Sequence, residues 1–464
     1  MSLQTQPAGT DALTQFTWEC QPRAEQFVRE VVASFLERSP VAKRLAERMK
    51  TETGTRFVDW VDYIELADTP EHRRQVQAAG YVQKPQWAYE GETCWVQPGG
   101  VFPLVSLTPH ADAAEVEVAI KVDSVADFAA INGLFPSCDH PPLSPARRLV
   151  VANDGNAVFA VVERHGYRGM DPPSSPDEHR IQMLQTLERF RCRRRQFEDE
   201  EQAFAWAGRL IDQAIASVGR DAACDLFFAA DREYWQRRNR AAQFQKARQD
   251  RLGLGWANHD HHTYRSSRKH FPALIGLWEK LGFELRERFY AGAEAGWGAQ
   301  VAEQPNTGII TFNDVDLSPE ELMDDFSHNP LPERKELGTV GLWCALHGES
   351  FLQAGMHHLE CQFDFESLKE QMEAQGGIKV MKPFTDFPYL RQAFTEGERW
   401  SVNEERLRTL LEKGQITADQ AQKFREQGAI GSHLENLERN EGFKGFNQKG
   451  VSDIISRVDP RKQV

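Results

Sequence analysis

The chain has 464 residues, of which 40% are hydrophobic and 27% charged, and its formal net charge is −14. This is the composition of a globular protein with material for several domains, and the acidic balance argues against a broad nucleic-acid surface or a general affinity for anionic membranes. The sequence contains no apolar stretch of about 18 residues, so we expect no transmembrane helix.

The cysteines indicate the compartment. Seven are scattered singly along the chain, and none forms a Cys-x-x-Cys pair. Free thiols are typical of a reducing environment. The first residues carry no basic stretch followed by an apolar run, so we expect no secretory signal. The sequence therefore predicts a cytoplasmic protein and leaves its oligomeric state open.

The first third of the chain predicts a mixed α/β domain, residues 1–170. Apolar side chains at helical spacing predict a helix over residues 23–38, and β-branched and aromatic residues predict strands over 57–66 and 116–122. Asp154-Gly155-Asn156 predicts a hairpin turn. We find no catalytic motif in this domain, and we interpret His110, Cys138 and His140 as loop residues.

A helical segment over residues 177–252 follows a proline-rich turn. It is predicted to contain long helices at residues 178–198, 200–218 and 221–250. The basic run from Arg189 to Arg195 is followed at once by acidic residues. We therefore interpret it as a solvated helix face with salt bridges and not as a nucleic-acid site.

The stretch Asn258-His259-Asp260-His261-His262-Thr263-Tyr264-Arg265 concentrates groups that bind metals or transfer protons. It precedes a helix predicted from Phe271 to Leu281 and is itself predicted to be a strand. Alternate residues of a strand share a face, so His259, His261, Thr263 and Arg265 should project together and His262 should point away. A solvated loop or a set of hydrogen-bonded core imidazoles would explain the cluster equally well.

The same arrangement occurs again later in the chain. Gly355-Met356-His357-His358-Leu359 precedes an amphipathic helix that ends at Gly376, followed by a strand predicted over residues 378–383. Between the two copies we predict strands at 283–290, 297–303 and 307–312 and a helix at 319–326. This weak internal repeat selects His261 and His358 as equivalent imidazoles.

The last predicted strand, residues 432–438, supplies a carboxylate. It follows two charged helices predicted within residues 403–427. Glu435 has the same parity as Leu437, so burial of that leucine would turn Glu435 inward, where a metal would offset its desolvation. Two imidazoles and one carboxylate on one face form a non-haem iron(II) site. The alternative is that Glu435 is an ordinary exposed residue.

These motifs resemble the paired metal-binding strands of the vicinal oxygen chelate superfamily. The tail Leu434-Glu435-Asn436-Leu437-Glu438-Arg439-Asn440, with Gly445-Phe446 and Lys449-Gly450, is similar to the end of its 2-oxo-acid oxygenases, such as 4-hydroxyphenylpyruvate dioxygenase. The 2-oxoadipate dioxygenase/decarboxylase (hydroxyglutarate synthase) family is a closer match. Its first metal histidine precedes an arginine by four residues, as His261 precedes Arg265. The resemblance covers residues 255–456.

The resemblance implies a fold and an activity. The fold class is α+β, with paired βαβββ modules forming a curved mixed sheet around a metal. Fe(II) would be held by His261, His358 and Glu435, and a small 2-oxo acid and dioxygen would be its substrates. Oxidative decarboxylation would be followed by hydroxylation of the shortened acid. Arg265 would clamp the substrate carboxylate, and His262 and His357 would join it in the catalytic set by orienting a ligand or passing a proton.

The sequence also departs from that family and leaves alternatives open. The family has Pro-Arg after its second His-Leu, where this chain has Glu360-Cys361-Gln362. This difference puts the identity of the substrate in doubt. Arg265 would equally suit a structural salt bridge. The competing functions are a zinc metallohydrolase, in which His259 and His261 bind the metal, and a non-catalytic small-molecule-binding protein of the same fold.

Overall fold

A computed structural model describes residues 18–109, 112, 114–135, 138–447 and 459–462 of the chain. His110, Lys449 and Gly450, which the sequence analysis named, lie outside these residues. No helix in the described ranges is long and apolar enough to cross a bilayer. The described chain forms two mixed β-sheets, with helices packed on both.

The N-terminal sheet has seven strands, in the order β2-β3-β4-β1-β5-β7-β6. Their bounds are β1 Val61–Ala67, β2 Val82–Gln83, β3 Thr93–Val96, β4 Leu104–Thr108, β5 Val116–Lys121, β6 Ala146–Asn153 and β7 Ala157–Arg164. Strands β1 and β4 are parallel, as are β5 and β7, and the other pairs are antiparallel. The predicted hairpin at Asp154-Gly155-Asn156 is confirmed, since it joins the antiparallel pair β6 and β7.

Four helices accompany this sheet. They are α1 Pro22–Arg38, α2 Pro40–Arg48, α3 Pro70–Ala78 and α4 Val125–Ile131. Helix α1 confirms the helix predicted over residues 23–38 and buries Phe27, Val28, Val32 and Phe35 against the sheet core. The predicted strand over 57–66 begins later than expected, because residues 57–60 form a 3-10 turn before β1.

The helical segment consists of α5 Asp177–Arg191, α6 Glu200–Val218, α7 Arg220–Gln236 and α8 Arg240–Asp250. The third predicted helix is split, because Asn239 caps α8 by accepting a hydrogen bond from the backbone N–H of Ala242. The interpretation of the basic run is confirmed for its first part, where the exposed Arg191 pairs with Glu188 and Glu233, and was wrong for the rest. Helix α5 ends at Arg191, and the side chains of Arg193 and Arg195 are buried and form ion pairs with Asp231 at 2.5 and 2.6 Å.

The C-terminal sheet has nine strands, eight of them in the order β13-β14-β16-β12-β8-β11-β10-β9, and β15 pairs with β16. Their bounds are β8 His259–Arg265, β9 Glu284–Tyr290, β10 Trp297–Gln304, β11 Ile309–Asp316, β12 His358–Gln362, β13 Thr385–Phe387, β14 Leu390–Phe394, β15 Glu398–Trp400 and β16 Ala429–Arg439. Its helices are α9 Phe271–Lys280, α10 Thr339–His347, α11 Phe365–Gly376, α12 Glu404–Glu412 and α13 Ala418–Gln427.

The strand order shows that the C-terminal sheet has two equivalent halves. The first half is β8-α9-β9-β10-β11, and the second is β12-α11-β13-β14-β16. In each half the first strand runs parallel to the last, and the remaining neighbours are antiparallel. The two first strands, β8 and β12, pair antiparallel at the centre. The predicted α+β fold class with paired βαβββ modules is therefore confirmed.

Two predicted elements of the C-terminal sheet were wrong. The strand expected over residues 378–383 is reduced to a single bridge between Val380 and Thr395, and Pro383 lacks the N–H that a ladder needs. The helix expected over 319–326 is a 3-10 turn, Glu320–Met323. The two charged helices expected within 403–427 are present as α12 and α13. The three-domain division remains a prediction, although core residues of the helical segment and the C-terminal sheet form one hydrophobic cluster.

Candidate metal centre

A buried pocket lies on one face of the C-terminal sheet, where its two halves meet. Its cavity volume is about 60 Å³. One wall is aromatic and is formed by Phe289, Trp297, Phe312, Phe384, Phe394 and Phe446. The polar lining contains His261, Thr263, Arg265, Asp314, His357, His358, Glu360, Gln392, Glu435 and Asn447. The pocket therefore brings together all three predicted metal ligands and Arg265.

The two predicted imidazoles come from the central strand pair. In the antiparallel register of β8 and β12, His358 lies opposite Thr263, and His261 lies opposite Glu360. A two-fold axis between the strands therefore places His261 and His358 at equivalent positions. Their Nε2 atoms lie 3.3 and 2.8 Å from the same atom, Glu360 Oε1. Both rings thus present one nitrogen to a common point in the pocket.

Glu435 enters the pocket from the neighbouring strand. Strands β12 and β16 run parallel, with Glu360 in register with Glu435. Gln392 Nε2 donates a 2.8 Å hydrogen bond to Glu435 Oε1, which fixes the carboxyl group. The candidate ligand atoms of His261, Glu360 and Glu435 all lie within 4.8 Å of one another. The inward orientation predicted for Glu435 is confirmed by its 2% exposure.

The protonation preferences at this point suit a cation. Burial raises the pKa of Glu435 to about 8 and that of Glu360 well above its usual value, and the nearby Glu435 carboxylate raises the pKa of Glu360 further. Burial also lowers the pKa of His261 and of His358, so both rings are neutral. Neutral imidazole and carboxylate are the forms that bind divalent metals, and a bound cation would offset the desolvation of both carboxylates. The donor set therefore fits a metal ion.

His261 has a carboxylate behind it. Its Nδ1 lies 2.8 Å from Asp260 Oδ1, and Arg439 donates hydrogen bonds of 2.8 and 2.9 Å to the same carboxylate. Burial acts to raise the pKa of Asp260, but Arg439 and His261 together hold it below its usual range. A carboxylate in this position fixes the tautomer of a metal-binding imidazole and makes its Nε2 the free electron donor.

Arg439 also organises the other side of the pocket. Its Nη1 donates to the backbone carbonyls of Phe443 and Gly445, at 3.1 and 2.7 Å. This holds the turn that carries Phe446, whose ring packs edge-on against His261 with 4.8 Å between centroids. The sequence analysis named Arg439 only as part of the C-terminal motif that contains Glu435. In the structure it connects β16, Asp260 and the aromatic wall.

Arg265 lines the pocket on the same face as His261 and Thr263. Its Nε lies 3.4 Å from Asp314 Oδ2, and its guanidinium carbon lies 5.6 Å from the centre of the Trp343 ring. Its Nη atoms donate no hydrogen bond to any residue in the described ranges. Burial lowers the pKa of Arg265 despite the opposing effect of Asp314. The two NH₂ groups of the guanidinium thus remain available to a ligand in the pocket.

The remaining histidines are distributed over both faces of the sheet. His357 lines the pocket, and its Nδ1 lies 3.0 Å from the carbonyl oxygen of Gly431. His262 points to the opposite face, as predicted, where it packs on Phe228 with 4.9 Å between centroids. The expectation that His259 would share the face of His261 was wrong. The pairing register of β8 with β12 shifts at Asp260. This irregularity turns His259 towards His262, with 5.1 Å between the centres of the two rings.

Two functional candidates were missed. Glu360 was noted only as a departure from the Pro-Arg of the family, yet it lies two residues after His358 on β12. Alternate residues of a strand share a face, so this spacing already indicated a carboxylate beside the metal histidine. Asp260 was noted within its motif without a role. Its contact with Arg439 joins residues 179 positions apart, and no local pattern could have indicated that contact.

Comparisons with known proteins give distant structural similarity only. No protein-family model matches the sequence, and no curated protein matches it. Among solved structures, the chain is similar to a putative glyoxalase superfamily protein from Ralstonia eutropha, with 13% identity, 57% of this chain and 97% of the other covered, and a TM-score of 0.33. A mutant of 4-hydroxymandelate synthase from Streptomyces coelicolor matches with 13% identity, coverage of 87% and 97%, and a TM-score of 0.26.

A methylmalonyl-CoA epimerase from Mycobacterium tuberculosis matches with 12% identity, coverage of 39% of this chain and 88% of the other, and a TM-score of 0.23. These TM-scores are low. The fold assignment therefore rests on the strand order and register of this chain, and the assignment of a metal centre rests on the side chains in its pocket.

Proposed function

We propose that the protein is a non-haem iron(II) dioxygenase that decarboxylates a small 2-oxo acid and hydroxylates the shortened product. The proposal rests on one observation: two neutral imidazoles and a carboxylate from three adjacent strands converge in one buried pocket. Two histidines and one carboxylate are the ligand set of non-haem iron(II) oxygenases. The sequence resemblance to 2-oxo-acid oxygenases of the vicinal oxygen chelate superfamily supports the same activity.

His261, His358 and Glu435 would hold the metal. Fe(II) bound there would supply the redox chemistry and a template on which a 2-oxo acid and dioxygen meet. Asp260 orients His261, and Gln392 orients Glu435. The aromatic wall excludes bulk water from the reacting groups, which strengthens every electrostatic interaction inside the pocket.

Arg265 would bind the carboxylate of the substrate at the end remote from the metal. Its free Nη atoms face the pocket, and a guanidinium group binds a carboxylate through two parallel hydrogen bonds. An acid such as 2-oxoadipate, which has a carboxylate at both ends, suits this arrangement, and its product would be 2-hydroxyglutarate.

Metal analysis and oxygen uptake test the proposal. Protein purified without oxygen should retain iron and should consume dioxygen only when a 2-oxo acid is added. His358→Ala should lose both the iron and the oxygen uptake. His328→Ala, which changes a half-exposed surface histidine, should keep both. Unchanged iron content in His358→Ala would refute the assignment of the metal ligands.

Glu360 favours one alternative activity. It adds a second carboxylate to the set, with Oε1 within 3.3 Å of both imidazoles, and its ligand atoms lie within 4.8 Å of those of His261 and Glu435. A zinc ion held by these three side chains would keep a fourth position for a water that it activates, as in a metallohydrolase. Bound zinc, together with activity that persists without oxygen, would favour this alternative over the oxygenase.

A further inference from the structure

A second, larger cavity lies between the two sheets. It has a volume of about 370 Å³, and its walls come from the N-terminal sheet, from the loop between β10 and β11, and from Lys444. Among the residues that the structure describes, none lines both this cavity and the metal pocket. We call it the interdomain cleft. Its volume falls within the range of about 300–1,000 Å³ typical of small-molecule sites.

The cleft is lined by more basic than acidic side chains. Lys84, Lys121, Arg164, Arg168 and Lys444 line it, and so do three acidic residues. Each acid already has a cationic partner. The pairs are Asp62–Arg164 at 2.6 Å, Glu303–Lys444 at 2.8 Å and Asp225–His165 at 3.2 Å. The acids in the wall therefore leave part of its positive charge without a partner.

Three cations make up this surplus. Within the described part of the chain, Lys84, Lys121 and Arg168 have no carboxylate oxygen within 4.0 Å. Burial lowers the pKa of Arg168 and of Lys121, although Glu303 and Asp62 act in the opposite direction on Arg168, as Asp225 and Asp62 do on Lys121. Keeping these two groups charged in a partly buried wall costs free energy that these carboxylates, which form no ion pair with them, offset only in part. A local surplus of cations contrasts with the acidic balance of the whole chain, whose net charge is −14.

Two of these cations, Lys84 and Arg168, contact the same aromatic ring. Lys84 Nζ and the guanidinium carbon of Arg168 each lie 5.7 Å from the centre of the Trp87 ring. Cation–π contact at this distance stabilises both groups only weakly, and it leaves their N–H donors free. The Nη atoms of Arg168 donate no hydrogen bond to any residue in the described ranges. The wall therefore presents a guanidinium and two ammonium groups without anionic partners.

We propose that the interdomain cleft is a binding site for a small multivalent oxyanion, a phosphate ester or a polycarboxylate, held by Arg168, Lys121 and Lys84. Guanidinium groups bind phosphate and carboxylate oxygens through paired hydrogen bonds, and the two lysines add positive charge to the same cavity lining. The site is independent of the proposed oxygenase activity, since it uses none of the residues of the metal pocket. Its ligand would lie between the N-terminal sheet and the strand that begins at His259.

Isothermal titration of the full-length protein tests the site, with inorganic pyrophosphate and citrate as separate probes at constant ionic strength. We expect saturable binding of one equivalent of at least one probe. Arg168→Gln should weaken it by about tenfold or more, and Lys84→Gln by a smaller factor. Stronger binding of pyrophosphate would identify a phosphate site, and stronger binding of citrate a carboxylate site. Arg189→Gln, which alters an exposed helix arginine, is the matched control and should bind as the wild type does.

Both probes also chelate metals, so the titration is repeated in His358→Ala. Binding that persists in this variant belongs to the cleft, whereas its loss would assign the probe to the metal pocket and overturn the proposal. The absence of saturable binding of either probe would also overturn it, as would wild-type affinity in a folded Arg168→Gln. If circular dichroism shows that Arg168→Gln does not fold, Lys84→Gln and Lys121→Gln decide the question. Wild-type affinity in both of these variants would refute the site.

Discussion

The N-terminal and C-terminal sheets both bury carboxylates, and they differ in what lies beside them. In the N-terminal sheet, Glu117 forms an ion pair with Arg148, and Asp62 lies 2.6 Å from Arg164. Glu163 lies 2.8 Å from His165, whose pKa is raised to about 10 and which is therefore charged at neutral pH. Each of these acids has a partner that is cationic at neutral pH, as a purely structural carboxylate requires.

In the pocket of the C-terminal sheet, Glu360 and Glu435 face groups that carry no charge. Glu360 lies against His261 and His358, whose pKa values burial has lowered, and Glu435 accepts its hydrogen bond from the neutral amide of Gln392. Both acids consequently have raised pKa values. The pocket therefore combines two buried acids of raised pKa with two neutral imidazoles, which is the physical signature of a metal site.

Replacing one acid in each sheet should have opposite consequences. Glu435→Gln removes a ligand and should lower metal affinity by at least about 100-fold, since three ligands act together at the site. It should not lower the thermal stability of the metal-free protein, because it removes a carboxylate whose ionisation burial opposes. Metal content after dialysis and thermal melting measure the two effects.

The matched change in the N-terminal sheet is Glu117→Gln. It should leave metal content unchanged and lower the melting temperature, because Arg148 then loses its buried partner and keeps only the exposed Asp139. If Glu117→Gln lost the metal, or if Glu435→Gln kept it, the distinction between the two sheets would not hold.

The next largest effect should come from Asp260, which acts on the metal through His261. Asp260→Asn should weaken metal binding by about 10–100-fold, the usual cost of removing a carboxylate behind a metal-binding imidazole. His358 provides the internal contrast, because its Nδ1 has no hydrogen-bond partner among the described residues. Titration of the metal-free protein with Fe(II) or Co(II) measures the affinity. Wild-type affinity in Asp260→Asn would show that the contact is structural only.

Arg265 should affect the substrate and not the metal. If it clamps a carboxylate, Arg265→Gln should raise the KM for a 2-oxo acid by about tenfold or more while the metal content stays constant. Asp314→Asn is the companion variant, because Asp314 touches Arg265 and no predicted metal ligand. It should alter KM less, since the guanidinium remains. Loss of metal in Arg265→Gln would contradict this separation of roles.

The sequence was sufficient to predict the repeat of the C-terminal sheet, but it did not predict every side chain of the site. The period of the two histidine strands identified the halves of the C-terminal sheet and brought His261, His358 and Glu435 to one pocket. Strand alternation failed at His259, because the register shift at Asp260 has no signal in the sequence. The position equivalent to Glu435 in the first half is occupied by Phe312, since Phe312 pairs with Thr263 as Glu435 pairs with Glu360. Only the register reveals that the two halves differ there.

A separate effect, on stability and not on the metal or the substrate, should be a pH dependence that arises in the N-terminal sheet. His165 lies between Glu163 and Asp225, and the hydrogen bonds to these carboxylates raise its pKa to about 10 against the opposing effect of burial. A raised pKa stabilises the fold while the ring is charged. The contribution is therefore complete below pH of about 6.5 and is lost as the pH rises towards 10. Its size should be on the order of a few kcal/mol.

Melting temperatures measured from pH 6 to pH 10 should fall for the wild type and fall less for His165→Gln. His328→Gln is the control, because His328 has similar carboxylate partners at 2.8 and 2.9 Å but is 46% exposed. Solvent screens its ion pairs, so the slope should match that of the wild type. Equal slopes for the wild type and His165→Gln would mean that the N-terminal sheet does not depend on this charge. The contrast between the ion-paired acids of the N-terminal sheet and Glu360 and Glu435 in the C-terminal sheet would then rest on the arginine pairs alone.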